Sequence, residues 1–208
     1  MTSPVPKKFP LIPVIVGLGA VALIATVLLT MSSPATEGEF GTPAVTGTAL
    51  PRAGANPDPA LGYPIPEVVG ADFDGTAVRI SNDGRAKILV YLAHWCSVCQ
   101  AEVPVVQDWV EAGSLPDNVD LIAVSTNTSS ARANFPPSEW LEREGWSVPT
   151  IVDDEQSTIA AAFGLDAFPF FVFVSPDGIV VGRTSGALPA ETLTEIATTL
   201  SAMVASGE

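Results

Sequence analysis

AHWCSVCQAEVP, residues 93–104, holds both cysteines of the chain, behind its lone histidine and a tryptophan. A nearly continuous apolar run, AKILVYLA at residues 86–93, leads into it. Such a run is expected of a strand buried on both faces. A helical pattern follows over residues 97–112, so Cys96 falls at a strand-to-helix turn. Helix N-termini present unpaired N–H groups and a partial positive charge, which favour a thiolate. Cys99 lies one turn inside, close enough to attack a mixed disulfide on Cys96.

Three readings compete for this pair. A zinc site usually needs four ligands. His94, Cys96 and Cys99 come with no second cysteine pair and no second histidine, so no metal is expected, although a carboxylate could complete a set. A structural staple over two intervening residues would remove little unfolded-state entropy. A redox couple fits the position best. Glu102, by its helical angle, shares a stripe with Val98, Val105 and Trp109. A carboxylate on an apolar stripe is desolvated and its pKa rises, which suits a proton shuttle for Cys99. The other reading of Glu102 is an escape to solvent at the helix start. His94 either acts on Cys96 as a charge or is an exposed residue of the rim.

Outward from this stretch the pattern alternates. EVVGADFDGTAVRIS (residues 67–81) reads as a hairpin around Asp74-Gly75. VDLIAVSTN (119–127) is a buried strand, residues 137–144 a helix, SVPTIVDD (147–154) a strand, and QSTIAAAFG (156–164) a helix closed by Gly164. FFVFVS and IVVGRTSG form a last hairpin across Pro176–Gly178, and a helix with Pro189 near its start ends the chain. The expectation is an α/β three-layer domain with a central mixed sheet.

The chain has 208 residues and a net charge of −14. That charge repels phosphate backbones, so nucleic acid is not expected as a partner. Residues 9–31 carry no charged side chain. As a helix they would span about 34 Å against a hydrocarbon core of about 30 Å. Lys7 and Lys8 precede them and every acid follows. The positive-inside rule then leaves residues 1–8 cytoplasmic and the rest outside the cell membrane, with 9–31 a single-pass anchor. A cleaved signal peptide is the alternative, but no clear cleavage site follows. Residues 32–63, rich in Pro, Gly, Ala and Thr, read as a flexible tether. Residues 64–208 then form the domain.

Trp95 before the pair, Pro104 five residues after Cys99, and Pro169 before a buried strand complete a pattern that resembles the thioredoxin superfamily. Within it, the pattern C-x-x-C-x-x-E-x-P resembles the TlpA/ResA-type thiol–disulfide oxidoreductases. That resemblance implies a thioredoxin-like fold with an N-terminal β-hairpin extension and a strand–helix insertion at about residues 128–162. It implies a cis Phe168–Pro169 bond facing the cysteines, with Trp95, Phe168 and Pro169 binding substrate. It also implies Cys96 as nucleophile, Cys99 as resolving thiol and Glu102 as proton shuttle, with no cofactor. Partners implied are protein thiols or disulfides and a membrane thiol–disulfide transporter that recharges the pair. Members of that family are commonly anchored reductants, often serving cytochrome c maturation; some anchored relatives are oxidants. Ser97-Val98 between the cysteines departs from the motifs that carry a proline there. A non-catalytic thioredoxin-like binding module and a thiol peroxidase are the competing functions.

Overall fold

The computed structural model describes residues 39–206. A five-stranded sheet forms its centre, in the order β6-β5-β4-β7-β8. Strands β4 (Ala86–Leu92), β5 (Val119–Ser125) and β6 (Thr150–Val152) run parallel. Strands β7 (Phe170–Val174) and β8 (Val180–Ser185) run antiparallel to them as a hairpin. Every residue of β4 and β7 is buried. This follows from their apolar runs, since central strands covered on both faces have no polar side to alternate.

The alternation of side chains sorts the core into two faces. Ile88, Val90 and Leu92 of β4 pack with Val103, Val106 and Trp109 of helix α1 (Ser97–Glu111). Trp140 and Leu141 of α2 (Pro137–Arg143) join that face, as do Leu193, Ala197 and Leu200 of α4 (Ala190–Ser206). Leu89 and Tyr91 point the other way. They meet Ile159 and Ala162 of α3 (Thr158–Ala162) and the small sheet formed by β1 (Ala44–Thr46), β2 (Glu67–Ala71) and β3 (Ala77–Ile80). The three layers and the mixed sheet are those expected, and β2–β3 is the expected hairpin, joined by an unforeseen third strand.

The tether reading of residues 32–63 needs correction from residue 39 onward. β1 pairs antiparallel with β2, and Leu50 and Ala60 are buried. The Gly41 N–H donates to the Asp153 carbonyl at 2.9 Å. The Leu50 and Ala53 N–H groups donate to the Ala162 and Gly164 carbonyls, both at 2.8 Å. The segment thus satisfies carbonyls left open at the C-terminal end of α3. Prolines forbid a helix here but allow extended chain laid along an edge. Gly164 has φ +69°, and an added Cβ would stand 2.3 Å from the Pro51 carbonyl oxygen. Glycine is therefore required both by the turn and by the chain crossing it. Residues 1–38, including the expected anchor, lie outside the described residues; among the described residues no helix is long and apolar enough to cross a membrane.

Candidate functional site

Strand β4 delivers Ala93–Cys96 to the end of the sheet, and α1 starts at Ser97. Cys96 is the N-cap of α1, and its sulfur accepts the Cys99 N–H at 3.4 Å. Cys96 is half-buried, whereas Cys99 is wholly buried. Burial pushes the Cys99 thiol well above its ordinary pKa; a hydrogen bond to the Ala93 backbone opposes this, while Cys96 and the Glu102 charge add to it. The site thus has one accessible sulfur and one sheltered thiol a single turn further along the same helix.

Glu102 is the next buried polar group on that helix, 1% exposed. Its Oε1 accepts the Leu188 N–H at 3.0 Å, from the chain leading into α4. Burial raises its pKa, and the Leu188 bond only partly opposes the rise. The desolvation expected from the helical wheel is present, but the stripe is not. Val98 is 42% exposed and Val105 half-buried. The buried face of α1 is Cys99, Glu102, Val103, Val106, Gln107 and Trp109. The helix rests on the sheet along the 99–103–106 row, and α4 covers its flank through Trp109, whose Nε1–H donates to Thr194 Oγ1 at 2.9 Å.

His94 is neither an exposed rim residue nor a charge for Cys96. It is buried, with Nδ1 2.7 Å from the Ala133 carbonyl and Nε2 3.1 Å from the Ser129 N–H. A carbonyl cannot donate and an amide N–H cannot accept, so the proton sits on Nδ1 and the ring is neutral. Burial lowers its pKa accordingly. The His94 carbonyl also accepts from Gln100 Nε2 at 3.1 Å and Asn134 Nδ2 at 3.3 Å. Trp95 Nε1–H donates to the Asn127 carbonyl at 2.8 Å. Residues 127–134, NTSSARAN, are therefore laced to the cysteine turn. Asn127 and Asn134 bracket the segment at φ 54° and 59°, a left-handed conformation asparagine tolerates better than most residues. Sequence reasoning missed this segment; its one signal was the asparagine at each end.

The Phe168–Pro169 bond is cis, as expected; Asn56–Pro57 and Phe135–Pro136 are cis as well. Pro169 is buried, and its carbonyl accepts the Gly186 N–H at 2.8 Å. Phe168 meets Trp95 edge-on, ring centroids 5.9 Å apart, which brings the loop before β7 against the cysteine turn. The structure so gathers Trp95, Cys96, Cys99, Glu102 and Phe168–Pro169 at one end of the sheet. Among the described residues no group of three or more His, Cys, Asp or Glu is arranged to hold a metal ion.

The Redoxin family model matches residues 60–200. The thiol-disulfide oxidoreductase ResA of Oceanobacillus iheyensis is 23% identical over 126 residues, 60% of this chain and 62% of that protein. The chain thus matches less than two thirds of that relative's length. The crystal structure of StoA from Bacillus subtilis superposes with a TM-score of 0.51 at 22% identity, covering 59% of this chain and 90% of that one. A thioredoxin-family thiol:disulfide interchange protein from Chlorobium tepidum superposes with a TM-score of 0.56 at 19% identity, covering 68% and 97%. At these identities the two structures speak for the thioredoxin-like fold. Matched by the family model over well more than half of its length, the chain belongs to the Redoxin family and carries a thioredoxin-like fold.

Proposed function

We propose that this chain is a thiol–disulfide oxidoreductase that exchanges disulfides with protein substrates, working as a reductant. The observation that carries this reading is the pair itself: an accessible Cys96 capping α1 and a buried Cys99 one turn inside. In the reducing direction the Cys96 thiolate attacks one sulfur of a substrate disulfide. A Cys96–substrate bond forms, the substrate S–S bond breaks, and the first substrate sulfur leaves and takes up a proton. Cys99 then gives its proton to Glu102 and attacks Cys96 Sγ. The Cys96–Cys99 bond forms, the mixed disulfide breaks, and the second substrate sulfur leaves, protonated from Glu102. Two electrons pass from the dithiol to the substrate. Trp95, Phe168 and Pro169 form the rim against which the substrate chain lies.

Glu102 suits the shuttle because burial brings its pKa up toward that of a thiol, and its charge is felt at Cys99. The reducing direction is supported by resemblance to the TlpA/ResA group, whose members are commonly reductants. The alkaline displacement of Cys99 keeps that sulfur protonated until the mixed disulfide forms. We further propose that residues 9–31 anchor the chain in the cell membrane with the domain outside. That reading is supported by the lysines before the apolar segment and the acids after it. A redox titration tests the oxidoreductase reading. Equilibrated with dithiothreitol buffers, the Cys96–Cys99 pair should pass reversibly between dithiol and disulfide in a single two-electron transition. A pair that stays in one state across the physiological range of potentials would contradict the reading.

A further inference from the structure

Most cations of this acidic domain are committed. Arg85, Lys87 and Arg183 pair with Asp120, Asp83 and Asp58. Arg52 and Arg143 donate to the Asp166 carbonyl and to Asn134 Oδ1. Arg132 is placed differently. It is exposed, it makes no ion pair among the described residues, and its guanidinium carbon stands 4.7 Å from the centroid of the Trp95 ring. Trp95 is the residue beside Cys96, and its ring also meets Phe168 edge-on. A guanidinium over an indole gains cation–π energy while its N–H fork stays open to a carboxylate.

The backbone that carries Arg132 is also held in place. Its own N–H donates to the Ser129 carbonyl at 3.1 Å. The His94 ring grips the chain on both sides of it, at the Ser129 N–H and the Ala133 carbonyl. Asn127, at the start of the segment, takes the Trp95 indole N–H. A loop tied to the cysteine turn at these points offers its arginine at a fixed place on the substrate rim.

We propose that Arg132 is a specificity-determining residue that recognises a carboxylate side chain flanking the reacting cysteine of a protein substrate. The proposal rests on the oxidoreductase reading above. A protein of net charge −14 repels acidic partners at a distance, so an acidic flank needs a local cation to be accepted. His94 is the positioning residue behind it. No chemical step changes; Arg132 acts on which disulfide is presented to Cys96.

The test uses the full chain, reduced, against three disulfide-linked peptides that differ only in Glu, Gln or Lys beside the reacting cysteine. The readout is the ratio of second-order rate constants, Glu over Gln, which cancels any loss common to both. The ratio should be about two to five for the native chain at low salt, the range of an exposed ion pair, and shrink as salt rises. It should fall to about one in Arg132→Gln, drop below one in Arg132→Glu, and persist in part in Arg132→Lys. Turnover of all three peptides with no preference for Glu, a preference for Lys, or a Glu preference unmoved by Arg132→Gln overturns the proposal and leaves the oxidoreductase reading standing. Failure to reduce any of the three overturns both.

Discussion

Glu102 holds a carboxyl where water does not reach, and burial raises its pKa above the ordinary value of 4.5. A carboxyl raised on folding binds its proton more tightly in the folded state than in the unfolded one. Stability is therefore drawn down as pH rises from the unfolded value through the folded one. Glu102→Gln keeps an oxygen for the Leu188 N–H and removes the charge. It should be more stable than the native chain at pH 7, with the gain fading as pH falls through the raised folded value and gone below the ordinary 4.5, and it should exchange disulfides more slowly. Thermal unfolding and thiol alkylation across pH check this; a pH-independent gain together with superimposable alkylation profiles would remove Glu102 from proton transfer. His94 shows the opposite case. Its pKa is lowered on folding, so its contribution is complete above the ordinary 6.5 and is lost as pH falls from there through the folded value. His94→Ala strands the Ser129 N–H and the Ala133 carbonyl, at a cost of about 1–3 kcal/mol near neutral pH. It should also flatten the fall of stability below pH 6.5, measured by urea unfolding; a steeper fall would contradict the neutral clamp. Glu102 was legible because a helical period places it near Cys99. His94 was not, because its partners lie in a loop that closes over it only in three dimensions.

At the scale of elements, β4 and β7 were legible as unbroken apolar runs, and Gly164 marked the end of α3. The segment from residue 39 to 63 was not, because backbone hydrogen bonds and a few buried contacts hold it rather than an apolar period. Arg183 shows how. Its side chain is fully buried. Its Nε donates to Asp58 Oδ2 at 2.9 Å, and its Nη1 to the Pro51 and Phe163 carbonyls at 2.9 and 2.8 Å. Asp58, held below the usual carboxylate range chiefly by this arginine, ties the segment to β8 from a place no pattern reveals. Asp58→Ala leaves a buried guanidinium without its counter-charge, a change that costs about 3–5 kcal/mol. It should also open the chain around residues 50–60 to limited proteolysis. Unchanged stability and an unchanged digestion pattern would show the segment to be held by other contacts.

At the scale of the molecule, the layer order and the end of the sheet that carries the site could be read from alternating strands and helices. The surface proposed to meet a substrate could not, because it joins residues 94–96, 127–134 and 168–169 from three separate connections. The membrane placement makes its own prediction. A protease added outside intact cells should remove the domain, and protection of the domain until the cells are permeabilised would contradict an external placement. The division of labour between the two cysteines is the central claim, and trapping measures it most directly. With substrate disulfides present, Cys99→Ala should accumulate a covalent mixed disulfide at Cys96 that reductant releases, because the buried resolving thiol is gone. Cys96→Ala should trap none. Mixed disulfides collecting on Cys99 in Cys96→Ala, with none in Cys99→Ala, would contradict it.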